Sequence, residues 1–426
     1  MNKFFDKLNV IFRDGNLRRR ILIVVGALAV FRLAAAVPIP GVDILKLENY
    51  LAGSGAGNFL GIFDILSGGG LSKLSVMMLG VGPYITASII MQLLTLIFPS
   101  MKELYHEEGE AGRRKMSQYS RLLAIPLAAF QGYAFLTLLS RNGVLGQLTM
   151  GGMLLNVCLV VAGAMLLMWI GELISEYGLG NGVSLIIFAG IVSRIPSATQ
   201  ELYLGFDASQ LPLYIAFIVV MFVVIAGVVI ITEGERPIPV TYAKRVRGMK
   251  VYGGVSTYLP IRVNNAGVMP IIFALSILMF PQMLATFLAA SSNAVLQGIS
   301  QFFTLIVSNM WVYGGFYFIL VFVFTYFYSA VTFDPEAIST NLQKSGAFIP
   351  GIRPGRPTAE FIANILYRLT FIGALFLGSI AILPLILQGV TGVNALAIGG
   401  TSLLIVVSVA IEFIKQIEAQ ISMREY

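Results

Sequence analysis

The chain has 426 residues, of which 57% are hydrophobic and 12% are charged, and its formal net charge is +7. Soluble globular domains carry about 25% charged residues, so this composition excludes a soluble globular protein. The single cysteine, Cys158, excludes an internal disulfide, and the single histidine, His106, excludes a multi-histidine metal site.

The apolar residues fall in blocks that are long enough to cross the hydrocarbon core of a bilayer. A spanning segment must hydrogen-bond its own backbone, so these blocks predict helices, and the alternating pattern of a transmembrane barrel does not occur. The predicted fold class is an all-α, polytopic membrane protein with ten transmembrane helices. In chain order the spans are 20–37, 75–98, 120–139, 153–171, 181–197, 211–232, 267–287, 311–332, 361–387 and 396–416.

The distribution of basic residues supports ten spans and sets their orientation. With a cytoplasmic N-terminus, the cytoplasmic segments and Lys415 hold 22 of the 28 Lys and Arg residues, against four in the external segments. This asymmetry follows the positive-inside rule. The chain is therefore divided into a cytosolic segment 1–19, two five-span halves at 20–197 and 211–416, and a cytosolic tail 417–426. The apolar block after the first segment lacks a small-residue cleavage site, so no cleaved signal is predicted.

An external segment, 38–74, contains a short apolar helix that ends in the glycine run Gly68-Gly69-Gly70. The helix is too short to span a bilayer. Two interpretations remain open at this point. It is either an interfacial helix on the bilayer surface or a re-entrant element folded back into the bundle, where irregular backbone is tolerated.

Two cytoplasmic loops, 233–266 and 333–360, are long and basic. Their charge alone would serve as an orientation signal and attract anionic lipid. However, they also contain several tyrosines and prolines, which orientation does not require. Docking of a cytosolic partner is therefore favoured, and ribosomal RNA is one candidate because exposed Arg and Lys bind phosphates.

Motifs of nucleotide and proton chemistry are absent from the sequence. There is no Gly-x-x-x-x-Gly-Lys-Ser/Thr phosphate loop, so no nucleotide hydrolysis, cofactor or metal is expected. Ion-coupled carriers need ionisable groups inside spans, whereas Glu172, Glu233 and Glu412 lie near span ends. Arg32 and Arg368 are also off-centre, and snorkelling would account for them. The interior is therefore predicted to be apolar, which suits a hydrophobic gate.

A series of motifs runs through nearly the whole chain in the order found in one known family. The motifs are Val30-Phe31-Arg32 with Pro38-Ile39-Pro40-Gly41-Val42-Asp43, Ser67-Gly68-Gly69, residues 79–90, residues 108–115, Gly180-Asn181-Gly182-Val183-Ser184, Tyr252-Gly253-Gly254 with Tyr258-Leu259-Pro260, Asp334-Pro335-Glu336 with Asn341-Leu342-Gln343-Lys344, and residues 399–405. Together they resemble the SecY family of protein-conducting channels. Only the external segments 197–211 and 288–310 carry no clear family pattern.

The resemblance implies a clamshell of two five-span halves around an hourglass-shaped pore. Carried over position by position, the pore ring is Val81, Ile85, Ile187, Ile272 and Ile405. Branched aliphatic side chains would seal around a moving polypeptide without binding it, whereas charged residues would retain some sequences and repel others. Taken singly, each of these residues is an ordinary packing position, and only the family match distinguishes it.

The short external helix would then be a plug, at 57–70, that blocks the external funnel at rest. Its residues are Phe59, Phe63 and Leu66, with Leu66 facing the constriction and Gly68 and Gly69 permitting displacement.

A lateral gate to the lipid would lie between spans two and three and spans seven and eight. Its candidate residues are Thr86, Ile90, Gln131, Ile272 and Ser276. An interhelical hydrogen bond from Gln131 would hold the gate with about 0.6–2 kcal/mol.

The resemblance also implies the partners and the function. Lys244, Arg245, Arg247, Lys250 and Arg353 would dock the motor ATPase SecA or the ribosome. The expected function is a passive, gated pore for secretory preproteins in the bacterial plasma membrane, with SecE and SecG as small partners and no catalysis of its own. It would receive signal peptides and unfolded preproteins and release membrane segments into the lipid bilayer.

A solute transporter and a non-conducting assembly scaffold are the alternatives. The absence of carboxylates from the middle of the spans and the presence of the plug segment disfavour a solute transporter. The ring of aliphatic residues disfavours a non-conducting scaffold.

Overall fold

A computed structural model describes residues 14–42, 46–47, 67–71, 74–106, 109–146, 149–204, 211–242, 245–247, 250–252, 256–288, 294–391 and 394–422. The helices are α1 Gly15–Ala34, α2 Gly82–Ile97, α3 Pro99–His106, α4 Gly109–Arg141, α5 Met150–Tyr177, α6 Gly182–Val192, α7 Ile195–Leu204, α8 Leu211–Glu233, α9 Met269–Leu288, α10 Ala294–Ser308, α11 Met310–Thr332, α12 Pro335–Lys344, α13 Arg356–Thr391 and α14 Asn394–Ser422. The strands are β1 Glu235–Tyr242, β2 Arg245–Arg247, β3 Lys250–Tyr252, β4 Ser256–Arg262 and β5 Ala347–Phe348.

Each of the ten predicted spans overlaps one of these helices, in order α1, α2, α4, α5, α6, α8, α9, α11, α13 and α14, and several of the helices extend beyond the predicted bounds. Among the described residues, five helical stretches are long and apolar enough to cross a membrane by length and composition. They are Arg114–Arg141, Met150–Tyr177, Tyr214–Glu233, Met310–Lys344 and Arg356–Leu387. Gly182–Ser197 and Met269–Leu278 are shorter apolar helices. The mainly helical, polytopic architecture is as predicted.

The second predicted span is helical only in its second part. Residues 76–81 form turns, with Gly80 at φ +59°, and α2 begins at Gly82 with Pro83 in its first turn. Proline is tolerated there because the first N–H groups of a helix have no partner within it. The turn segment is fixed instead by the end of α1, since Val76 N–H donates to the Val37 carbonyl over 2.9 Å.

The spanning helices pack as two bundles with the same internal pairing. In the first bundle α1 contacts α5 and α6, α2 contacts α4 and α5, and α5 also contacts α4 and α6. In the second, α8 contacts α13 and α14, α9 contacts α11 and α13, and α13 also contacts α11 and α14. Each pairing of spans one to five thus recurs five spans later. An odd number of spans per half gives the two halves opposite topology, as in an inverted repeat.

The two bundles meet along two seams. At one seam α9 packs against α2 and α4, and at the other α6 packs against α14. A single cluster of buried apolar side chains runs across both bundles, from Val24 on α1 to Val409 on α14. The junction of the bundles is therefore an apolar core that contains side chains from both halves.

Glycines allow two of the closest backbone approaches in the first bundle. A methyl group on Gly163 of α5 would lie 2.1 Å from the carbonyl oxygen of Val76, and one on Gly182 of α6 would lie 1.9 Å from that of Gly171. Real Cβ atoms do not approach backbone oxygens so closely, and small residues at helix interfaces are typical of membrane bundles.

The two basic loops fold together into one unit, which adds a sheet to the predicted all-α fold. Strands β4, β1 and β5 form an antiparallel sheet in that order, with Ile238 opposite Leu259 and Thr241 opposite Phe348. A separate hydrophobic core lies beneath it, formed by Ile238, Val240, Ile261, Ala347, Ile349, Ile362, Ile365 and Leu366. This loop domain, defined as β1, β4, β5, α12 and the first turns of α13, joins both loops to span nine.

We predict that Gly163→Ala lowers the stability of the first bundle. The added methyl group collides with a backbone carbonyl that cannot rotate away, and overpacking of this kind costs about 1–3 kcal/mol. Gly151→Ala in the same helix is the matched control because nothing lies within 4 Å of its Cβ position. Thermal unfolding in detergent should show a lower midpoint for Gly163→Ala alone. Equal midpoints for the two variants would contradict the packing argument.

Candidate functional site

The five predicted ring residues are all buried in the apolar core that joins the bundles. None is more than 5% exposed. Val81 caps the start of α2 and Ile85 lies in its first turn, while Ile187, Ile272 and Ile405 lie on α6, α9 and α14. Helices of both bundles therefore contribute branched aliphatic side chains to one cluster, and whether these side chains form a pore ring stays a prediction.

Two of these residues, Ile85 and Ile272, line a cavity of about 480 Å³. Most of its other lining is polar: Tyr84, Ser88, Gln92, Ser117, Arg121, Glu172, Ser175, Glu176 and Asn181. The Arg121 Nε atom lies 2.6 Å from the Glu172 Oε1 atom, which links α4 to α5 across this cavity. The cavity therefore combines a mainly polar lining, with three charged residues, and two aliphatic side chains of the bundle junction.

A second cavity of about 340 Å³ lies beside the first, since Asn181, Met269 and Tyr328 line both. Arg262, Asn264, Glu412 and Lys415 line the second, along with residues of α6 and α14.

The Lys415 Nζ atom lies 3.0 Å from the Glu233 Oε1 atom and ties the end of α14 to the end of α8. From the sequence, Glu172 and Glu233 were noted only as acidic residues near the ends of spans. Their pairing with basic residues of other helices carries no local signal in the sequence.

The predicted gate residues lie on the helices of the α2–α4–α9 seam. Thr86 and Ser276 are buried, but their hydroxyls donate to carbonyls of their own helices, Gly82 over 3.0 Å and Ile272 over 2.9 Å. Gln131 is also buried, yet nothing in the described ranges hydrogen-bonds its side chain. The seam is therefore held by apolar packing in this state, and the Gln131 hydrogen bond stays a prediction.

The predicted plug is described only at its C-terminal end. Phe59, Phe63 and Leu66 lie outside the described residues. Gly68 and Gly69 are described, and both have left-handed backbone conformations, with φ of +68° and +84°. Glycine adopts this region without strain, and most other residues do not.

The predicted docking residues divide between the two loops. Lys244 lies outside the described residues, and of Arg245, Arg247 and Lys250 only the backbone is described, in the β2–β3 hairpin.

Arg353 is exposed on the loop domain. The buried Thr358 hydroxyl donates to its carbonyl over 2.9 Å, and the buried Ser339 hydroxyl donates to the Gly355 carbonyl over 2.6 Å. The Arg353 loop is thus fixed from beneath while its guanidinium faces outward.

Metal-binding geometry is not found in the part of the chain that is described. No group of three or more His, Cys, Asp or Glu side chains lies close enough there to hold a metal ion.

Comparison with known proteins places this architecture in a family. A family model described as SecY matches residues 75–414. The protein translocase subunit SecY of Thermus thermophilus is 45% identical over 425 residues, which cover 96% of this chain and 94% of that protein. The subunit of Mycobacterium tuberculosis is 42% identical over 434 residues and covers 97% of both chains. The chain belongs to the SecY family.

Solved structures agree with this SecY-family assignment at the level of the fold. A protein-conducting channel aligns with a TM-score of 0.65 at 18% identity, covering 96% of this chain and 93% of that one. Sec61 in a canine ribosome-channel complex aligns with a TM-score of 0.57 at 18% identity over the same shares. The chain is therefore a multi-pass membrane protein with the SecY channel fold, and the SecY family match includes every predicted ring and gate residue.

We predict that Thr358→Val loosens the Arg353 loop without unfolding the protein. Valine keeps the shape of threonine but leaves the Arg353 carbonyl without its buried donor, which costs about 1–3 kcal/mol. Hydrogen exchange should become faster at the Thr358 position and Ala359, whose amides bond the Gly355 carbonyl. Ser345→Ala is the control, since that exposed hydroxyl bonds only the neighbouring Leu342 carbonyl. Unchanged exchange in Thr358→Val would show that the hydroxyl does not hold the loop.

Proposed function

We propose that this chain is the channel-forming subunit of a protein translocase and passes unfolded preproteins across a membrane. The observation that carries the proposal is the apolar junction of the two bundles. In a SecY-family chain, aliphatic side chains from four helices are buried together, and two of them also line a cavity whose other lining is mostly polar. Relatives with 42–45% identity are named protein translocase subunits.

An aliphatic junction suits a substrate of varied sequence. The translocating chain presents charged, polar and apolar side chains in turn, and a ring of branched aliphatic groups excludes water and ions without binding any one of them. Arg121, Glu172 and Glu176 line the first cavity and Arg262, Glu412 and Lys415 line the second, so the basic and acidic side chains of the two linings balance. A polypeptide can therefore enter the cavities and is released again.

The energy for transport must come from partners, because the sequence has no nucleotide-binding loop. We propose that the chain is not an enzyme and that SecA or a translating ribosome docks on the loop domain and on the β2–β3 hairpin. A Sec61 channel of the same fold was solved with a ribosome. The fixed loop beneath Arg353 supports this role, since a rigid loop loses little entropy on binding.

The remaining assignments complete the proposal. SecE and SecG are the small membrane partners, the α2–α4–α9 seam releases membrane segments to lipid, and residues 57–70 form the plug. The membrane is the bacterial inner membrane, with both termini cytoplasmic, as the distribution of basic residues favours.

We predict that the purified chain, reconstituted with SecE, SecG, SecA and ATP, transports a signal-bearing preprotein into liposomes. Ile85→Asn and Ile272→Asn should raise the resting ion leak, because a polar amide at the junction admits water into the seal. Ile89→Asn is the matched control. Ile89 lies on the same helix and is equally buried, but it does not line the cavity.

Protease-protected preprotein and ion flux are measured in the same liposomes. Absence of transport by the wild-type chain, with folded complex and active SecA, would favour the solute-transporter alternative. An equal rise of the leak in all three variants would show that Ile85 and Ile272 have no specific role in the seal. The leak would then reflect a general loss of packing.

We predict that Arg353→Glu abolishes SecA-driven transport while the protein still inserts and folds. The side chain is exposed and outside the loop-domain core, so charge reversal should affect the partner rather than the fold. Arg356→Glu is the control, since Arg356 is also exposed and its ion pair among the described residues is with Glu360, one turn along α13. Transport and SecA affinity are measured for both. An equal loss in the two variants would indicate a general effect of charge rather than a specific contact.

A further inference from the structure

Helix α10 connects two membrane-spanning helices on the side of the membrane opposite the loop domain. Its neighbours along the chain, α9 and α11, join the loop domain at their other ends, α9 after β4 and α11 before α12. Helix α10 has 15 residues, so it is about 22 Å long and cannot cross a hydrocarbon core of about 30 Å. It is therefore not a span of its own.

One side of α10 packs on the second bundle, against α9 and α11. Ser300 is buried on this side, and its hydroxyl donates to the Ala285 carbonyl over 2.7 Å. Ala285 is one of the last four residues of α9, whose carbonyls have no partner within the helix. The bond therefore satisfies the end of α9 and fixes which side of α10 faces the protein.

A second side of α10 is apolar and exposed. Its side chains are 41–69% exposed and belong to Val295, Ile299, Phe302 and Leu305, which we call the α10 stripe. At 3.6 residues per turn, these four positions fall within an arc of about 120°. Contiguous exposed apolar surface of this kind marks an interaction site.

The third side of α10 is polar. Its exposed side chains are Gln297, Gln301 and Thr304, which fall within an arc of about 60°. The helix contains no charged residue, whereas amphipathic helices at a membrane surface commonly carry Lys and Arg on the polar face. Any binding of lipid by α10 must therefore come from insertion of apolar side chains and not from attraction to anionic headgroups.

The start of α11 indicates the depth at which α10 lies. Asn309 alone separates the two helices, and its side chain accepts hydrogen bonds from the Trp311 amide over 3.1 Å and the Val312 amide over 3.4 Å. The Trp311 side chain is 68% exposed at this end of the span, where tryptophans mark the boundary of membrane and water. The end of α10 is therefore within about one helical turn of this boundary.

We propose that α10 is an interfacial helix that binds the lipid surface opposite the loop domain, with the α10 stripe inserted between headgroups and acyl chains. Lipid is the occupant because the stripe adjoins Trp311 at the membrane boundary, while the polar side of the helix is left for water. Through the bond from Ser300 to Ala285, the lipid surface then sets the depth of the far end of α9. The inference goes beyond the proposed function and does not depend on it.

Spin labels on single cysteines test this placement, because Cys158 is the only native cysteine. With Cys158 changed to Ser, Phe302→Cys places a nitroxide on the α10 stripe. Gln301→Cys places one on the polar side of the same helix and is the matched control. The full chain is labelled and reconstituted with SecE and SecG in phosphatidylcholine liposomes. Collisions of each nitroxide with oxygen, which concentrates in lipid, and with a water-soluble nickel chelate are then measured by power saturation.

An interfacial helix predicts opposite preferences at these neighbouring positions. Oxygen should reach the Phe302→Cys label about twofold or more better than the nickel chelate does, and the Gln301→Cys label should show the reverse. The same result is expected in liposomes that contain phosphatidylglycerol, at low and at high salt, because α10 is uncharged. If Phe302→Cys fails to fold, Ile299→Cys takes its place on the stripe.

Three results would overturn the proposal. Preference for the nickel chelate at both positions would place the α10 stripe in water. Poor access of both reagents to the Phe302→Cys label would show that a protein, either a partner or a second copy of the chain, covers the stripe. Contact with lipid only in anionic liposomes at low salt would contradict apolar insertion. None of these measurements involves transport, so a failure of the proposed function would leave them unchanged.

Discussion

The structure depends on one constraint of the bilayer, which is that backbone groups at membrane depth need hydrogen-bond partners inside the protein. Most spans meet it as continuous helices. Two do not, since α6 ends after 11 residues and the second predicted span begins with turns. Arg32 supplies donors to the end of α6, and the chain around Val37 pairs with the turn segment. Both irregular stretches lie in the first bundle, next to the predicted plug.

The repeated pairing of the helices places the apolar junction between the bundles rather than within either one. Each bundle has its own internal contacts, so the proposed opening along the α2–α4–α9 seam would keep the packing within each bundle. The gate hydroxyls of Thr86 and Ser276 bond within their own helices. In the proposed gate, parting of the seam would therefore break apolar contacts and would leave both hydroxyls bonded within their own helices.

The ten spans were predictable because hydropathy over about 20 residues is a local signal. The loop sheet was not, because Thr241 pairs with Phe348 across more than a hundred residues and neither strand has a distinctive pattern. The hydrogen bonds of Arg32 were not predictable either, since its guanidinium turns toward carbonyls that only the fold brings near. The ring residues came from family resemblance alone, because a buried isoleucine in a pore and one in a core look alike in sequence.

Helix α13 gives the protein a lever arm. It has 36 residues and starts in the core of the loop domain, so it is about 54 Å long, nearly twice the hydrocarbon thickness. Pro384 lies inside the helix near its far end and removes a backbone hydrogen bond there. The part before it is about 42 Å long, so a tilt of about 5° at the loop domain would move its other end by about 4 Å. Because α13 also packs on α8, α9, α11 and α14, a force on the loop domain from the proposed docked partner would be passed to the helices of the second bundle.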